Sequence, residues 1–302
     1  MEEHNSGKPK SLSLIKPFDP WQSPLCTCLP KYSLNPYTGC SHGCLYCYAS
    51  SFIPRFYEAR PKGEFIKRVT KDLKNLPENS LISLSNSSDP YQHLEEKIKL
   101  TREFLTLLTE TSHKVIILTK SDLVLRDLDL LERLKVVVSI TITTIRWTNI
   151  LERGAPSFER RLNTLKILHK RKIPTVVRLD PIIPGLNERE VLEILEEVIP
   201  YVEHIVLSTF KAKKDSLDRI ENAFPHLKGY LKKLYLAEGE KRGWSFYLNQ
   251  EKRKNSLMPL VEKILSYNKS YSLCREGLEG YTFRYGCDGR FLLDVPRGTN
   301  LS

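Results

Sequence analysis

The sequence predicts an α/β protein built as a partial (βα)6 barrel of the TIM type with parallel strands. Short β-branched runs alternate with amphipathic stretches, and six such units fall within about 190 residues, fewer than the eight of a closed barrel. The flanking segments lack this alternation. We therefore predict an N-terminal extension at 1–30, a core domain at 31–215, and a C-terminal helical and Cys-containing extension at 216–302.

The elements follow from periodicity, taken in chain order. Buried strands are expected at 32–35, 81–85, 115–119, 136–143, 175–179 and 205–209. Leucine and isoleucine recur at three- and four-residue steps in the clearest helices, which are expected at 94–109, 123–134, 158–170 and 188–198. The five prolines in the first 30 residues predict an irregular strap.

Composition narrows the class of protein. With 40% hydrophobic and 27% charged residues the chain is expected to fold around a sizeable core. No apolar run is long enough for a membrane span and no signal peptide is evident, so a cytoplasmic location without a membrane partner is expected. The net charge of +11 makes nucleic acid a candidate partner, although lysine-rich faces are often simply solvated. No P-loop, GxGxxG or HExxH motif is present.

Three cysteines form the most informative motif. Cys40, Cys44 and Cys47 have the spacing CxxxCxxC, in a loop that Gly39 and Gly43 allow to fold tightly. Three thiolates on a four-iron cube leave one iron open, whereas structural zinc or an electron-transfer cluster normally needs a fourth protein ligand. His42 is the nearest candidate for that ligand, but a solvent-facing loop histidine is the expected alternative.

This loop resembles the signature of the radical S-adenosylmethionine (SAM) superfamily, CxxxCxΦC with Φ aromatic, and Tyr46 takes the aromatic position. The resemblance is nearest to the spore photoproduct lyase-like branch. It extends over NPYTGCSHGCLYCYA at 35–49, SNSSDPYQ at 85–92, ILTKSDLVLRD at 117–127, SITIT at 139–143 and DPIIPGLNERE at 180–190.

The resemblance implies an enzyme with a 4Fe-4S cluster on the three cysteines and S-adenosylmethionine as cofactor. Reductive cleavage of the cofactor would give a 5′-deoxyadenosyl radical that abstracts hydrogen from a substrate. The electron would come from a one-electron reductant such as ferredoxin or flavodoxin. Besides Tyr46, the cofactor-binding residues that the resemblance implies are Ser85 and Ser87 near the methionyl amino group, Lys120 near its carboxylate, and Ser139, Ile183 and Gly185 near the ribose and adenine.

Several readings stay open. Lys120 is alternatively an ordinary surface lysine. The segment 183–188 fits most of a GxIxGxxE pattern, with Pro181 in place of the first glycine, but it is alternatively a loop before a helix capped by Asn187. Spore photoproduct lyases carry a hydrogen-donating cysteine after the second strand, whereas 81–92 has none, which argues against thymine-dimer repair by the same mechanism. Tyr91 is a candidate relay, with packing as the alternative.

The substrate is also open. A nucleic-acid base is the first expectation, and a peptide or small metabolite the second. A non-catalytic iron-sulfur or zinc module of a nucleic-acid-binding protein is the alternative class. Four further cysteines flank the core, and they are expected either to hold zinc or a second cluster or to be buried apolar residues: Cys26, Cys28, Cys274 and Cys287.

Overall fold

The structure is a computed structural model that describes residues 12–18, 23, 25–278 and 287–298. Its centre is an eight-stranded sheet in the order β1-β2-β5-β6-β7-β8-β9-β12, in which every neighbouring pair is parallel except β1 with β2. The strands are β1 Lys16–Pro17, β2 Tyr32–Leu34, β3 Tyr37–Thr38, β4 Arg60–Pro61, β5 Leu81–Leu84, β6 Lys114–Thr119, β7 Val136–Thr141, β8 Thr175–Ile182, β9 His204–Thr209, β10 Glu240–Arg242, β11 Ser245–Tyr247 and β12 Ser270–Leu273. The six predicted strands are all present.

Helices follow most of the parallel strands. They are α1 Phe65–Leu73, α2 His93–Ile98, α3 Leu100–Leu108, α4 Leu128–Leu131, α5 Thr148–Leu151, α6 Phe158–Lys170, α7 Glu190–Val198, α8 Lys214–Ala223, α9 Tyr230–Lys232 and α10 Gln250–Ser266. Short 3-10 segments include Asp122–Asp127 and Arg290–Asp294. Helix α6 has the predicted bounds, and the Ser157 side chain caps it by accepting a hydrogen bond from the Arg160 amide.

Two predicted helices are wrong in their continuity. The stretch expected at 94–109 is divided because Lys99 adopts a left-handed backbone with a φ of 59°. The buried carboxylate of Glu95 then accepts the amide hydrogens of Thr101 and Arg102, which start α3. The stretch expected at 123–134 begins as the 3-10 segment and only then becomes α4. Apolar periodicity persists through both breaks and therefore does not reveal them.

The strands bury both of their faces. The main core lies between one face and the helices, whereas Ile116, Val137, Val176 and Val206 point to the other face and pack against Leu292 near the C-terminus. Gly289 allows this approach, since a Cβ there would lie 2.5 Å from Val176 Cγ2. The C-terminal segment thus covers the face of the sheet that points away from the main core.

Both predicted extensions contribute to the sheet. Strand β1 pairs with β2 at one edge, and β12 pairs in parallel with β9 at the other. The described part of the chain contains no helix that is long and apolar enough to cross a membrane.

Candidate functional site

A cavity of about 490 Å³ opens at the carboxyl ends of the parallel strands. This is the edge at which βα units generally place their active sites. Most of the predicted site residues line it together, namely Cys40, Cys44, Tyr46, Cys47, Ser85, Ser87, Lys120 and Ser139. They come from the cysteine loop and from the ends or interior of β5, β6 and β7, so distant parts of the chain converge on one space.

The cysteine loop is held tightly from outside. Gly39 has a φ of 80°, and a Cβ there would lie 2.4 Å from the Phe56 carbonyl oxygen, which also accepts a 2.7 Å hydrogen bond from the Cys40 amide. A Cβ on Gly154 would lie 2.2 Å from the Ser41 carbonyl oxygen. Glycine is therefore required at both positions for this close backbone packing.

Two side chains outside the motif fix the loop backbone. The fully buried Gln92 accepts a 2.7 Å hydrogen bond from the Ser41 amide and donates one of 3.1 Å to the Gly39 carbonyl. Arg219 of α8 donates to the carbonyls of Leu45 and Cys47. These contacts hold the turn that carries the three thiols without using the thiols themselves.

The three thiols lie in a desolvated environment. Burial raises the pKa of Cys40 to about 12 and also raises the pKa of Cys44 and Cys47. The protein alone therefore favours the neutral thiols at pH 7. A metal centre that supplies positive charge would favour their thiolate form, as metal ligation by cysteine requires.

His42 is not the solvent-facing residue expected from the sequence. Its ring is buried, and Nδ1 lies 3.4 Å from Asp89 Oδ2. Burial lowers the pKa of His42 to about 4, so the ring is neutral at pH 7. Asp89 also accepts hydrogen bonds from Thr119 Oγ1 and the Lys120 amide, which ties the cysteine loop to the end of β6.

A buried ion pair supports the aromatic residue of the motif. Glu152 lies 2.6 Å from Arg161, and both side chains are almost inaccessible to solvent. Glu152 accepts hydrogen bonds from the Tyr46 hydroxyl and from Thr143 Oγ1. Burial opposes ionisation of Glu152, but Arg161 and then Lys120 outweigh it and hold the pKa of this carboxyl at about 2.

Two polar groups that line the cavity lack a direct polar partner among the described residues. Ser85 Oγ is buried without a hydrogen-bond partner among the described residues, and Ser85 has a left-handed φ of 71°. Lys120 Nζ lies 5.6 Å from the centre of the Tyr46 ring but makes no ion pair within the described chain. An orphaned hydroxyl, a free ammonium and three thiols fit a sulfur-ligated cluster beside an amino-acid-like cofactor.

Of the remaining residues predicted to bind the cofactor, two line the cavity and two do not. Ser139 and Ser87 line the cavity, and the Ser87 amide donates to Asn35 Oδ1. Ile183 and Gly185 do not line it: Ile183 is buried in a satellite core, and Gly185 packs beside Leu227 and Tyr230. Their contact with the ribose and adenine stays a prediction.

The turn at 183–188 is organised by its own side chains. Asn187 Oδ1 accepts the Ile183 amide hydrogen, and Asn187 Nδ2 donates to the carbonyls of Thr143 and Pro181. Glu188 accepts a hydrogen bond from the Gly185 amide. Asn187 thus closes a loop before α7, but it does not cap this helix, because the N-cap position is Arg189 and no side chain caps it.

Tyr91 lies outside the cavity. Its hydroxyl donates to Asp127 at 3.1 Å in a buried position, and this contact favours the packing alternative.

The four outer cysteines meet on the cavity wall. Cys26, Cys28, Cys274 and Cys287 all line the cavity as free thiols. Within residues 12–18, 23, 25–278 and 287–298, however, no group of three or more His, Cys, Asp or Glu side chains is arranged to hold a metal ion. The predicted auxiliary metal is therefore not evident in this arrangement of thiols.

The sequence reasoning missed the supporting residues. Asp89 and Gln92 lie in the segment 85–92, which follows the buried strand β5. Polar residues after a strand end are the signal that could have identified them. Glu152, Arg161 and Arg219 lie in or beside helices with no distinguishing pattern, and only the folded chain brings them to the cysteine loop.

A family model described as the radical SAM superfamily matches residues 34–198. The chain belongs to the radical SAM superfamily. This membership confirms the resemblance inferred from the cysteine loop, and it implies a 4Fe-4S cluster and S-adenosylmethionine. The protein is thus a radical SAM enzyme whose reaction is undetermined.

This radical SAM enzyme is similar to an uncharacterized protein of Methanocaldococcus jannaschii. The two are 32% identical over 219 residues, which cover 70% of this chain and 81% of the relative.

Solved structures share the fold. A mutant of spore photoproduct lyase with bound AdoMet and dinucleoside spore photoproduct has a TM-score of 0.64 at 16% identity, covering 87% of this chain and 79% of that one. SuiB from Streptococcus suis, bound to the precursor peptide SuiA, has a TM-score of 0.53 at 12% identity, covering 80% of this chain and 48% of SuiB. The predicted partial barrel is thereby confirmed as the fold class.

Proposed function

We propose that Cys40, Cys44 and Cys47 hold a 4Fe-4S cluster, and that S-adenosylmethionine binds in the adjoining cavity and is cleaved for hydrogen abstraction from a nucleic-acid base. The observation that carries the proposal is one cavity that combines three clustered thiols with a buried hydroxyl and an ammonium, which respectively lack a hydrogen-bond partner and an ion-pair partner among the described residues. When bound, the cluster and cofactor supply a one-electron cleavage of the sulfonium and a 5′-deoxyadenosyl radical.

The residues of the cavity divide the binding of the methionyl group. Lys120 is the cation for its carboxylate, because it lines the cavity and its Nζ makes no direct ion pair with a carboxylate of the described residues. Ser85 and Ser87 bind near the amino group, and Ser85 Oγ would gain the hydrogen bond that it lacks. Ser139 lies on the neighbouring strand for the nucleoside part.

The Glu152 network positions these groups. It holds the Tyr46 ring through the hydroxyl, and the ring lies beneath the Lys120 ammonium. The ion pair with Arg161 compensates the buried charge of Glu152. The Glu152 carboxylate can therefore also attract the Lys120 ammonium.

The net charge of +11 supports a nucleic-acid base as the substrate class. The fold shared with a lyase solved with a dinucleoside photoproduct adds an analogy. The fold shared with SuiB, which is solved with a precursor peptide, favours a peptide as the second candidate. The absence of a cysteine from 81–92 continues to argue against thymine-dimer repair by the lyase mechanism.

Three further expectations stay predictions. These are a one-electron reductant such as ferredoxin or flavodoxin, a cytoplasmic location, and zinc or a second cluster at the four outer cysteines. Metal analysis tests the last one, because zinc, or iron beyond about four atoms per chain, would require a second site.

The decisive experiment is anaerobic reconstitution, followed by incubation with dithionite and S-adenosylmethionine and assay of 5′-deoxyadenosine. We expect product from the wild-type chain and none from Cys44→Ala. Cys26→Ser is the matched control for loss of a thiol and should retain the activity. A wild-type chain with a full 4Fe-4S cluster and no 5′-deoxyadenosine would reject the proposal.

The substrate classes are then compared with the same holoenzyme. Addition of a single-stranded oligonucleotide, rather than an acidic peptide of similar net charge, should change the rate of 5′-deoxyadenosine formation. Stimulation by the peptide alone would favour the second candidate.

A further inference from the structure

Two outer cysteines are in direct contact although they are 259 positions apart in the chain. Cys28 Sγ and Cys287 Sγ lie 3.4 Å from each other, at van der Waals distance for two sulfur atoms. Cys287 is buried, Cys28 is half-buried, and both line the wall of the cofactor cavity. The two thiols therefore face each other and a space that a small molecule can enter.

The contact is held by a network of charged side chains. Lys31 Nζ lies 2.6 Å from Asp288 Oδ2 and 3.7 Å from Cys28 Sγ. Arg290 binds Asp288 and donates to the carbonyls of Leu29 and Pro30. Residues adjacent to each cysteine thus join the N-terminal strap to the C-terminal segment and fix the distance between the two sulfurs.

The surroundings favour reactive thiols over inert packing. The Lys31 ammonium is close enough to Cys28 to stabilise a thiolate, and a thiolate is the nucleophile in thiol-disulfide exchange. A purely structural cysteine would be expected among apolar neighbours and away from a cation. Cys28 also contacts Cys26, and Cys287 contacts Cys274. Even so, no group of three or more His, Cys, Asp or Glu side chains among the described residues is arranged to hold a metal ion.

We propose that Cys28 and Cys287 form a redox-active dithiol that is converted to a disulfide by small disulfide oxidants entering the cavity. The Cys28 thiolate attacks one sulfur of the oxidant, forming a mixed disulfide and releasing one thiolate. The Cys287 thiol then gives its proton to the released thiolate and attacks the Cys28 sulfur, which forms the Cys28–Cys287 bond and releases the second thiolate. Two electrons pass from the cysteine sulfurs to the oxidant, which becomes two thiols.

The test uses the anaerobically reconstituted holoenzyme, in which the cysteines of the 4Fe-4S cluster are ligated. It is incubated with 2-hydroxyethyl disulfide, quenched in acid, alkylated and digested with trypsin. We expect one cross-link between the peptide that contains Cys28 and the peptide 285–290 that contains Cys287. Oxidation should also raise Tm by roughly 5 °C, because the bond closes most of the chain into one loop, and dithiothreitol should reverse both changes.

Cys26→Ser is the matched control, since Cys26 lies on the same tryptic peptide as Cys28, and it should retain the cross-link. Cys28→Ser should lose it. The visible absorption of the cluster, recorded in the same samples, separates this result from the proposed cofactor binding, because the dithiol is expected to react whether or not S-adenosylmethionine is cleaved.

Two results would overturn the proposal. One is complete alkylation of both cysteines in the wild-type chain after treatment at a potential that oxidises dithiothreitol. The other is stoichiometric zinc, or iron in excess of four atoms per chain, that is lost on Cys28→Ser substitution. The wild-type measurement does not depend on the folding of any variant.

Discussion

Two groups of cysteines face the same cavity but are assembled in different ways. Cys40, Cys44 and Cys47 lie within eight consecutive residues, so one loop carries all three. Cys28 and Cys287 come from opposite ends of the described chain and meet only in the folded structure. The first group is thus set by local spacing and the second by long-range packing, and the two should respond differently to substitution.

The groups also differ in their supporting contacts. The loop is held by hydrogen bonds from Gln92 and Arg219 and by a buried ion pair behind Tyr46. The outer pair is held by Lys31, Asp288 and Arg290, which bridge the two ends of the chain. Removing support from the loop should therefore affect cluster and cofactor, whereas removing support from the outer pair should affect the attachment of the chain ends.

The largest contrast is expected in iron content. Cys40→Ala should reduce iron from about four atoms per chain to less than one, since two thiols cannot retain the cluster. Cys287→Ala removes an equally buried thiol and should leave these four iron atoms bound, so that any iron it loses would belong to a second site. Anaerobic reconstitution with iron analysis measures both. Equal iron loss in the two variants would remove the distinction between the groups.

The next contrast concerns stability. Glu152→Gln should reduce the free energy of unfolding by about 3 kcal/mol at pH 7, because Arg161 is left buried without its counter-charge. Urea denaturation of the cluster-free chain measures the difference. Glu132→Gln, which alters an exposed ion pair with Arg171, should change it by less than about 1 kcal/mol.

The effect of Glu152 should also depend on pH. Its folded-state pKa of about 2 lies below the ordinary value of 4.5, so its contribution is complete above pH 4.5 and is lost as the pH falls towards 2. The free energy of unfolding of the wild-type chain should therefore approach that of Glu152→Gln as the pH falls over this range. A stability difference that is constant from pH 6 to pH 3 would contradict the assigned ionisation.

A smaller effect is expected on cofactor affinity when Lys120, which lines the cavity near the cysteine loop, is substituted. Lys120→Met should weaken S-adenosylmethionine binding about 10- to 100-fold, corresponding to the loss of one charge-assisted contact, while cluster content stays constant. Lys135→Met, at an exposed lysine before β7, is the control. Calorimetry with reconstituted protein distinguishes them, and equal affinities would show that Lys120 does not bind the carboxylate.

The smallest effect is expected at Ser85. Ser85→Gly removes the unpartnered hydroxyl and relaxes the left-handed backbone, so cofactor affinity should fall about threefold while stability is retained. Asn79→Gly relaxes another left-handed residue, with a φ of 58°, at an exposed position. It should leave cofactor affinity unchanged. Unaltered affinity in Ser85→Gly would remove Ser85 from the site.

Much of the fold is local and was predictable. The six parallel strands follow from short β-branched runs, and α6 follows from apolar periodicity and a serine cap. The break at Lys99 was not, because it depends on Glu95 reaching the start of α3 from the preceding helix. Strands β1 and β12 are too short or too atypical to stand out, and pairing with an existing edge defines them.

The sequence by itself determined the cysteine loop, because three thiols within eight residues meet in any compact turn that its glycines permit. It also determined that Ser85 and Lys120 directly follow strands, since parallel strands present their carboxyl ends at one edge, and that Ser139 lies within the next strand. Only the tertiary structure decided that Glu152 and Arg161 support Tyr46, and that Cys28 meets Cys287. Those contacts join residues far apart in the chain, and their partners are selected by packing and charge neutralisation, which sequence spacing does not encode.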